Sequence, residues 1–379
     1  MTDLAEGEIM RTEKPDALFA QGEKQRAAGA FAQAWTSYRE AARLYRRIGA
    51  QCGLFQCLLA QGHCLRLLGN FSRARANYQK ALTLAGTFQS PVARADAQVG
   101  LGMSLRGLGD YRGALRFFTR AARTYRRAGD LPGEAYVLWA TAGALRIRGT
   151  LTEALETFQQ ARELFEQAKD RSGVGYCLCG MGGASRLIGK YHESLAYYTE
   201  AQRQLSSLRD TFGRAYAFCG IANANRMVGR FDTALTYFIK ARRLYGDLRD
   251  QVSYAYTLWG EGTLYKVRGQ LGEAWKDFGE AEAIFEDTHD RRGRVYTWLG
   301  RGEILMLQGK TPLARRLLER ALAEARRHRF RFEELHSHLL LKELHRRQGG
   351  RIAFAPLRRR YQALGSIFLR EVSFPLNLP

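Results

Sequence analysis

Tyr191, Ser194, Tyr198 and Ala201 lie three, four and three residues apart, separated by polar positions such as Glu193, Thr199 and Glu200. Such spacing draws one stripe down one face of a helix, so residues 191–206 are predicted to be helical with that stripe buried. The stretch before it, 172–187, has a different pattern: apolar and small side chains on nearly every side, with Arg186 its one fixed charge. A helix of that composition is covered over most of its surface. Gly189 separates the two, suited to the left-handed backbone just past a helix end. Asp170 precedes the first, where a carboxylate can cap free amides and offset the helix dipole.

The pattern returns every forty residues. Glycine recurs at Gly29, Gly69, Gly109, Gly149, Gly189, Gly229, Gly269, Gly309 and Gly349, and alanine from Ala41 through Ala161 and Ala201 to Ala321. Aspartate recurs at Asp130, Asp170, Asp210, Asp250 and Asp290, each followed three residues later by glycine or serine. The place of Tyr198 is held by Tyr38, Tyr78, Phe118, Phe158, Phe238 and Phe278, which read as core residues filling the gap between helices. A fixed period of this size marks an array whose units pack on their neighbours. The prediction is an all-α solenoid of about eight helix-turn-helix units over residues 15–348. A leader without structure is expected over 1–14, and a capping helix with an extended tail over 349–379. Thr311 and Leu318 replace aromatics near the end, and residues 310–360 carry fifteen Lys or Arg against five Glu. A terminal unit needs a polar outer side, so a basic cap is expected there.

A small residue in the first helix (Gly182), then Ser194, Tyr198 and Ala201 in the second, resembles the tetratricopeptide repeat (TPR) pattern, whose common unit is 34 residues. The forty-residue period is similar to the longer repeats of the LGN/Pins polarity adaptors and of some bacterial regulators. The resemblance spans about 15–348 and implies a right-handed superhelix in which the first helix of each pair lines a concave groove. The closing proline of the family unit is replaced here by aspartate and glycine.

The chain of 379 residues is 46% hydrophobic, has seven prolines, and carries a net charge of +22 with a pI near 10.1. That charge favours acidic proteins, nucleic acid or an anionic surface, although ten lysines against forty-nine arginines also fits a GC-rich genome. No run of eighteen apolar residues is present to cross a membrane, and the polar start lacks a signal core. The six cysteines form no disulfide framework. A cytoplasmic protein is expected.

The candidate site follows from the helical wheel. Tyr176, Cys179, Gly183 and Arg186 fall within about 80° of one another, while Leu178, Gly182 and Ser185 face the second helix. The Arg186 place holds Arg26, Arg66, Arg106, Arg146, Arg226 and Lys266, ending at Met306. If the first helices line a groove, as the resemblance implies, these cations form a ladder at roughly 10 Å intervals. Tyr136, Tyr176, Tyr216 and Tyr256 would stand beside it, with Asn223 and Asn225 able to bond a ligand backbone. Guanidinium forks grip carboxylates, so the expected partner is an extended, acidic peptide or protein segment, and the expected role a scaffold or adaptor. The competing reading has each cation bonding helix carbonyls, or an acidic side chain on a neighbouring helix, and offsetting the dipole.

Two other partners stay open: single-stranded nucleic acid, which suits cations beside aromatics, and an enzyme complex that the chain would join as an accessory subunit. No CxxC pair suggests zinc, and His336, His338 and His345 are a weak metal set. The GxG pairs at Gly100, Gly180, Gly260 and Gly300 lie within helices. No nucleophile, base and orienting group are spaced to meet. Neither a metal, a cofactor nor catalysis is expected. The tail SFPLNLP is apolar, which argues against its lying along a cationic row.

Overall fold

A computed structural model describes residues 2–370 and 373–379, with side chains from Lys14 onward apart from Arg370. Helices pair in sequence along the chain: α1 (Thr2–Ala27) with α2 (Phe31–Arg47), α3 (Gln51–Leu67) with α4 (Phe71–Ala85), and α5 (Pro91–Gly107) with α6 (Tyr111–Ala128). The next pairs are α7 (Leu131–Arg148) with α8 (Leu151–Gln167), α9 (Arg171–Ile188) with α10 (Tyr191–Ser207), and α11 (Thr211–Met227) with α12 (Phe231–Asp247). Then come α13 (Gln251–Val267) with α14 (Leu271–Asp287), and α15 (Arg291–Leu307) with α16 (Thr311–His328). The array ends in α17 (Arg331–Arg347), the short α18 (Ala355–Gln362) and a 3₁₀ turn at Phe368–Arg370. The described residues contain no strand, and the architecture is a helical repeat solenoid. Polar sequence ahead of Pro15 gives little reason for a helix, yet α1 starts at Thr2 and carries Pro15 inside it.

Two compact units divide the chain within α7: residues 1–137 with 248–250, and residues 138–247 with 251–379. In the first, Phe31, Ala34, Tyr38 and Cys64 form one buried cluster, and Ala41, Ala42, Tyr45 and Cys57 another. In the second, Ala222, Ala234, Phe238 and Leu264 pack together, as do Ala255, Leu258, Ala281 and Phe285. In these four clusters the buried aromatics come from the second helix of a pair.

Glycine in the first helix has a definite reason. A Cβ at Gly182 would lie 2.8 Å from the Tyr198 ring, and one at Gly220 would overlap that ring from the other side. Tyr198 is thus seated between its own unit and the next, and it is 3% exposed. The aspartate caps are also real: Asp170, Asp210 and Asp290 accept the amide of the residue three along, at 2.9, 2.8 and 2.9 Å. That third residue is glycine because a side chain there would run into Phe165, Leu205 or Phe285.

The turns inside each pair use glycine at positive φ, as in Gly189 (φ 108°). Turns between pairs start with Gly49 and Gly129, but later ones place Lys169, Arg209, Arg249, His289 and Arg329 at φ between 54° and 58°. A side chain in that conformation costs roughly 1–2 kcal/mol, partly offset in glycine by backbone entropy. Arg209→Gly is therefore expected to stabilise the protein by about 0.5–1 kcal/mol, read as a higher urea midpoint. A lower midpoint would show that the Arg209 side chain contributes more than its backbone strain costs.

Beyond α18 the chain turns back along the second unit. Leu364, Ser366, Phe368 and Leu369 are buried. The Ser366 hydroxyl donates to the Leu187 carbonyl at 2.7 Å, and the Ile367 amide donates to the Ile188 carbonyl at 2.8 Å. These contacts satisfy carbonyls left free at the end of α9. Leu376, Leu378 and Pro379 are also buried.

Candidate functional site

The cation repeated at forty-residue intervals sits in the last turn of the first helices from α1 to α13. In the first unit, Arg66 is half-buried with one guanidinium nitrogen 3.4 Å from His63 Nδ1, and Arg106 is half-buried near the end of α5. Arg26, earlier in the row, is paired with Glu23 at 2.5 Å. In the second unit the row becomes progressively more enclosed: Arg146 and Arg186 are half-buried, Arg226 is 0% exposed and Lys266 1%. Arg146 Nε, Arg186 Nε and Arg186 Nη1 are buried donors with no hydrogen-bond partner.

Arg226 and Lys266 hold the end of the chain. Arg226 Nη1 donates to the Asn377 side-chain oxygen, and its Nη2 donates both to the Leu378 carbonyl at 2.8 Å and to Asn223 Oδ1 at 3.0 Å. The Asn377 amide nitrogen donates in turn to the Arg226 main-chain carbonyl at 2.9 Å. Lys266 Nζ donates to the Leu376 carbonyl at 3.0 Å and is ion-paired to Glu303, whose other oxygen accepts the Leu376 amide at 2.6 Å. Residues 376–378 therefore lie across α11, α13 and α15, with both main-chain groups of Leu376 and the carbonyl of Leu378 gripped by side chains. The sequence argued against this placement of an apolar tail. It occurs because these cations bind peptide carbonyls, which every residue carries.

Burial, then the nearby Arg186 charge, push the Arg226 pKa down. A guanidinium still keeps its proton at neutral pH. Burial also lowers Lys266, against the opposing pull of Glu303. A charge taken out of water is tolerated only when it is paired and hydrogen-bonded, and residues 376–378 supply much of that bonding.

The structure brings Asn223, Arg226 and Lys266 together from among the candidate residues. Asn225 is not in this group; its amide donates to Ile221 O of its own helix at 2.9 Å. Tyr176 donates to Asp210 at 2.9 Å and lies edge-on to Trp139, 6.2 Å between centroids. Tyr216 is edge-on to Tyr198 at 6.5 Å and Tyr256 to Phe285 at 4.8 Å. Tyr136 is half-exposed, in the first unit. Glu303 was not singled out from sequence. Its signal is that it shares the repeat place of Asn223, three residues before the place of the repeated cation, which Met306 holds in this helix.

Elsewhere, His336 is fully buried, its Nδ1 2.6 Å from the Tyr361 hydroxyl, with its pKa pushed down to about 4 by burial. Among the described residues no group of His, Cys, Asp and Glu is arranged to hold a metal, and no helix is long and apolar enough to cross a membrane.

Paired helices repeated at a fixed interval define a helical repeat solenoid, and three of its first helices, α11, α13 and α15, offer polar side chains to residues 376–378. The chain is a tetratricopeptide repeat protein: models of that repeat match residues 59–125, 93–167 and 137–207, and the same unit continues through the array. Among curated proteins none matches the sequence. Solved structures similar in fold include NprR in complex with its cognate peptide NprX, at 15% identity and TM-score 0.62, over 93% of this chain and 98% of that one. A Rap protein complexed with competence and sporulation factor is similar at 12% identity and TM-score 0.60, over 93% and 99%. So is the Rap conjugation gene regulator of plasmid pLS20 with the Phr* peptide, at 12% and 0.61, over 82% and 94%. The likeness to polarity adaptors is not carried by these matches.

Proposed function

We propose that this protein is a peptide-binding scaffold that takes an extended segment of a partner along the first-helix side of its second unit. The observation that carries this is the grip on residues 376–378: a segment of polypeptide already lies there, held through its main chain by Arg226, Lys266 and Glu303. Support also comes from the similar solved structures, which include NprR with NprX and a Rap regulator with Phr*. Main-chain contacts bind any sequence, so selectivity has to come from elsewhere. Arg146 and Arg186, with buried N–H groups lacking acceptors, suit a carboxylate. The ligand we infer is an extended peptide with an acidic side chain placed over that pair, since charge-assisted bonds to guanidinium are the strongest such contacts.

Panning a phage-displayed heptapeptide library on the full chain tests the reading. Peptides enriched in Asp or Glu are expected, and their recovery should fall at least tenfold on the Arg146→Gln/Arg186→Gln variant with its helical circular dichroism intact. Equal recovery on both proteins, or no enrichment at all, would overturn it.

A further inference from the structure

We propose that Leu376, Asn377 and Leu378 are an internal ligand: they occupy the peptide position at Arg226, Lys266 and Glu303, and an incoming peptide with an apolar–Asn–apolar core has to displace them. The inference rests on the peptide-binding reading and adds to it what this part of the site selects and how access is controlled.

Three observations carry it. The first is that the contacts are of two kinds. The amide and carbonyl of Leu376 and the carbonyl of Leu378 are held by Glu303, Lys266 and Arg226, and these bonds would form with any residue. Asn377 is different, because its amide both accepts from the Arg226 guanidinium and donates to the Arg226 main-chain carbonyl. Only a side-chain amide supplies an acceptor and a donor from one short planar group. Aspartate at that place would keep the first bond and set a carboxylate oxygen against the carbonyl. Leu376 and Leu378 flank it at 1% and 2% exposure, so the two neighbours are chosen by apolar burial.

Secondly, the segment is tethered close by. Ser366 and Ile367 are fixed to the end of α9, leaving a short span before Ser373. A short tether holds a segment at an effective concentration in the millimolar range. An external peptide of the same sequence must compete with that.

The third concerns the groups underneath. Arg226, Lys266, Glu303 and Asn223 are each at most 5% exposed with the segment in place. Four polar side chains converging beneath three residues make a prepared site, in which main-chain groups of the segment complete the bonding of Arg226 and Lys266.

Fluorescence anisotropy with a fluorescein-labelled SFPLNLP peptide tests the proposal on three proteins: the full chain, the full-length Asn377→Ala/Leu378→Asp variant, and a chain ending at residue 372. The peptide is expected to bind both altered proteins at least tenfold more tightly than the full chain. The same peptide with alanine in place of Asn377 should bind them at least tenfold more weakly. Equal binding to all three proteins overturns the internal ligand. So does absence of binding to altered proteins that keep their helical circular dichroism, and so does loss of helix in both of them, since the segment would then be part of the fold. Should this fail while panned peptides still depend on Arg146 and Arg186, the peptide-binding reading stands alone. Should panning fail while SFPLNLP binds the opened proteins, the site recognises only its own chain.

Discussion

Glu303→Ala is expected to destabilise the second unit by about 3–5 kcal/mol, the range for removing one member of a buried ion pair. Lys266 and Glu303 are 1% and 0% exposed and bonded to each other. Without the carboxylate, Lys266 keeps only the Leu376 carbonyl as partner, and the Leu376 amide loses its acceptor. The remaining influences on Lys266, burial and the Arg226 charge, both lower its pKa. A lysine whose folded pKa lies below its unfolded value costs stability while it must stay charged. The cost should thus be full below the lowered pKa and fade as pH rises toward the ordinary value of 10.5. The double variant Lys266→Met/Glu303→Leu should recover most of the loss, since apolar residues of similar volume replace buried pairs at little cost. Urea denaturation at neutral and alkaline pH measures all three. A Glu303→Ala loss below about 1 kcal/mol would mean that water reaches Lys266, as at an exposed pair.

Much of this fold is legible in the chain because a repeat averages out local ambiguity. Gly189 is one glycine among thirty-nine, but nine of them in step at forty residues identify a turn, and each of the nine has positive φ. The same holds for Tyr198: one aromatic says little, whereas an aromatic at that place in seven units says core. Departures from the repeat are what sequence reads poorly. Lys169, Arg209, Arg249, His289 and Arg329 take a left-handed turn that nothing in their side chains announces. The turn is imposed by the helices packed on either side. Asn223 and Asn225 are two residues apart, hence about 200° around the helix. Both amides donate to carbonyls of their own helix, but Asn223 also accepts from Arg226, a distinction that the wheel itself contains.

The placement of residues 376–378 has a physical reason that side-chain patterns do not carry. Side-chain chemistry suggests that a cationic row attracts acids and ignores SFPLNLP. Arg226 and Lys266 instead meet carbonyl oxygens, and a carbonyl in a water-poor site is a strong acceptor whatever its side chain. Sequence complementarity weighs side chains only, so it cannot see this attraction. Glu303 is hard to read for another reason: its repeat place varies from unit to unit, through Met103, Gly183, Asn223 and Thr263, so no pattern marks it.

The second large effect is expected at Phe238, which is 0% exposed and packs with Ala222, Ala234 and Leu264. Phe238→Ala should cost about 3–5 kcal/mol, the transfer loss plus the cavity left behind. Gly260 faces the same ring: a Cβ there would lie 2.6 Å from Phe238, and 3.3 Å from Asn223 Oδ1. Gly260→Leu alone should therefore destabilise through overlap by about 1–3 kcal/mol. The two changes together should cost less than their sum, because leucine at 260 fills the space the ring vacates, and the coupling should reach about 1–3 kcal/mol. Urea titration of the four proteins in this cycle gives the coupling directly, and an additive result would show that ring and glycine do not share one cavity. The cycle also bears on the site, since Asn223 holds the Arg226 guanidinium at 3.0 Å. A leucine at 260 presses on that asparagine, so the single variant should loosen residues 376–378 as well as the core, with faster hydrogen exchange at the Leu376 amide. In a solenoid each unit rests on the next, and the packing of one ring between two helices is in this way mechanically continuous with the grip on the peptide position.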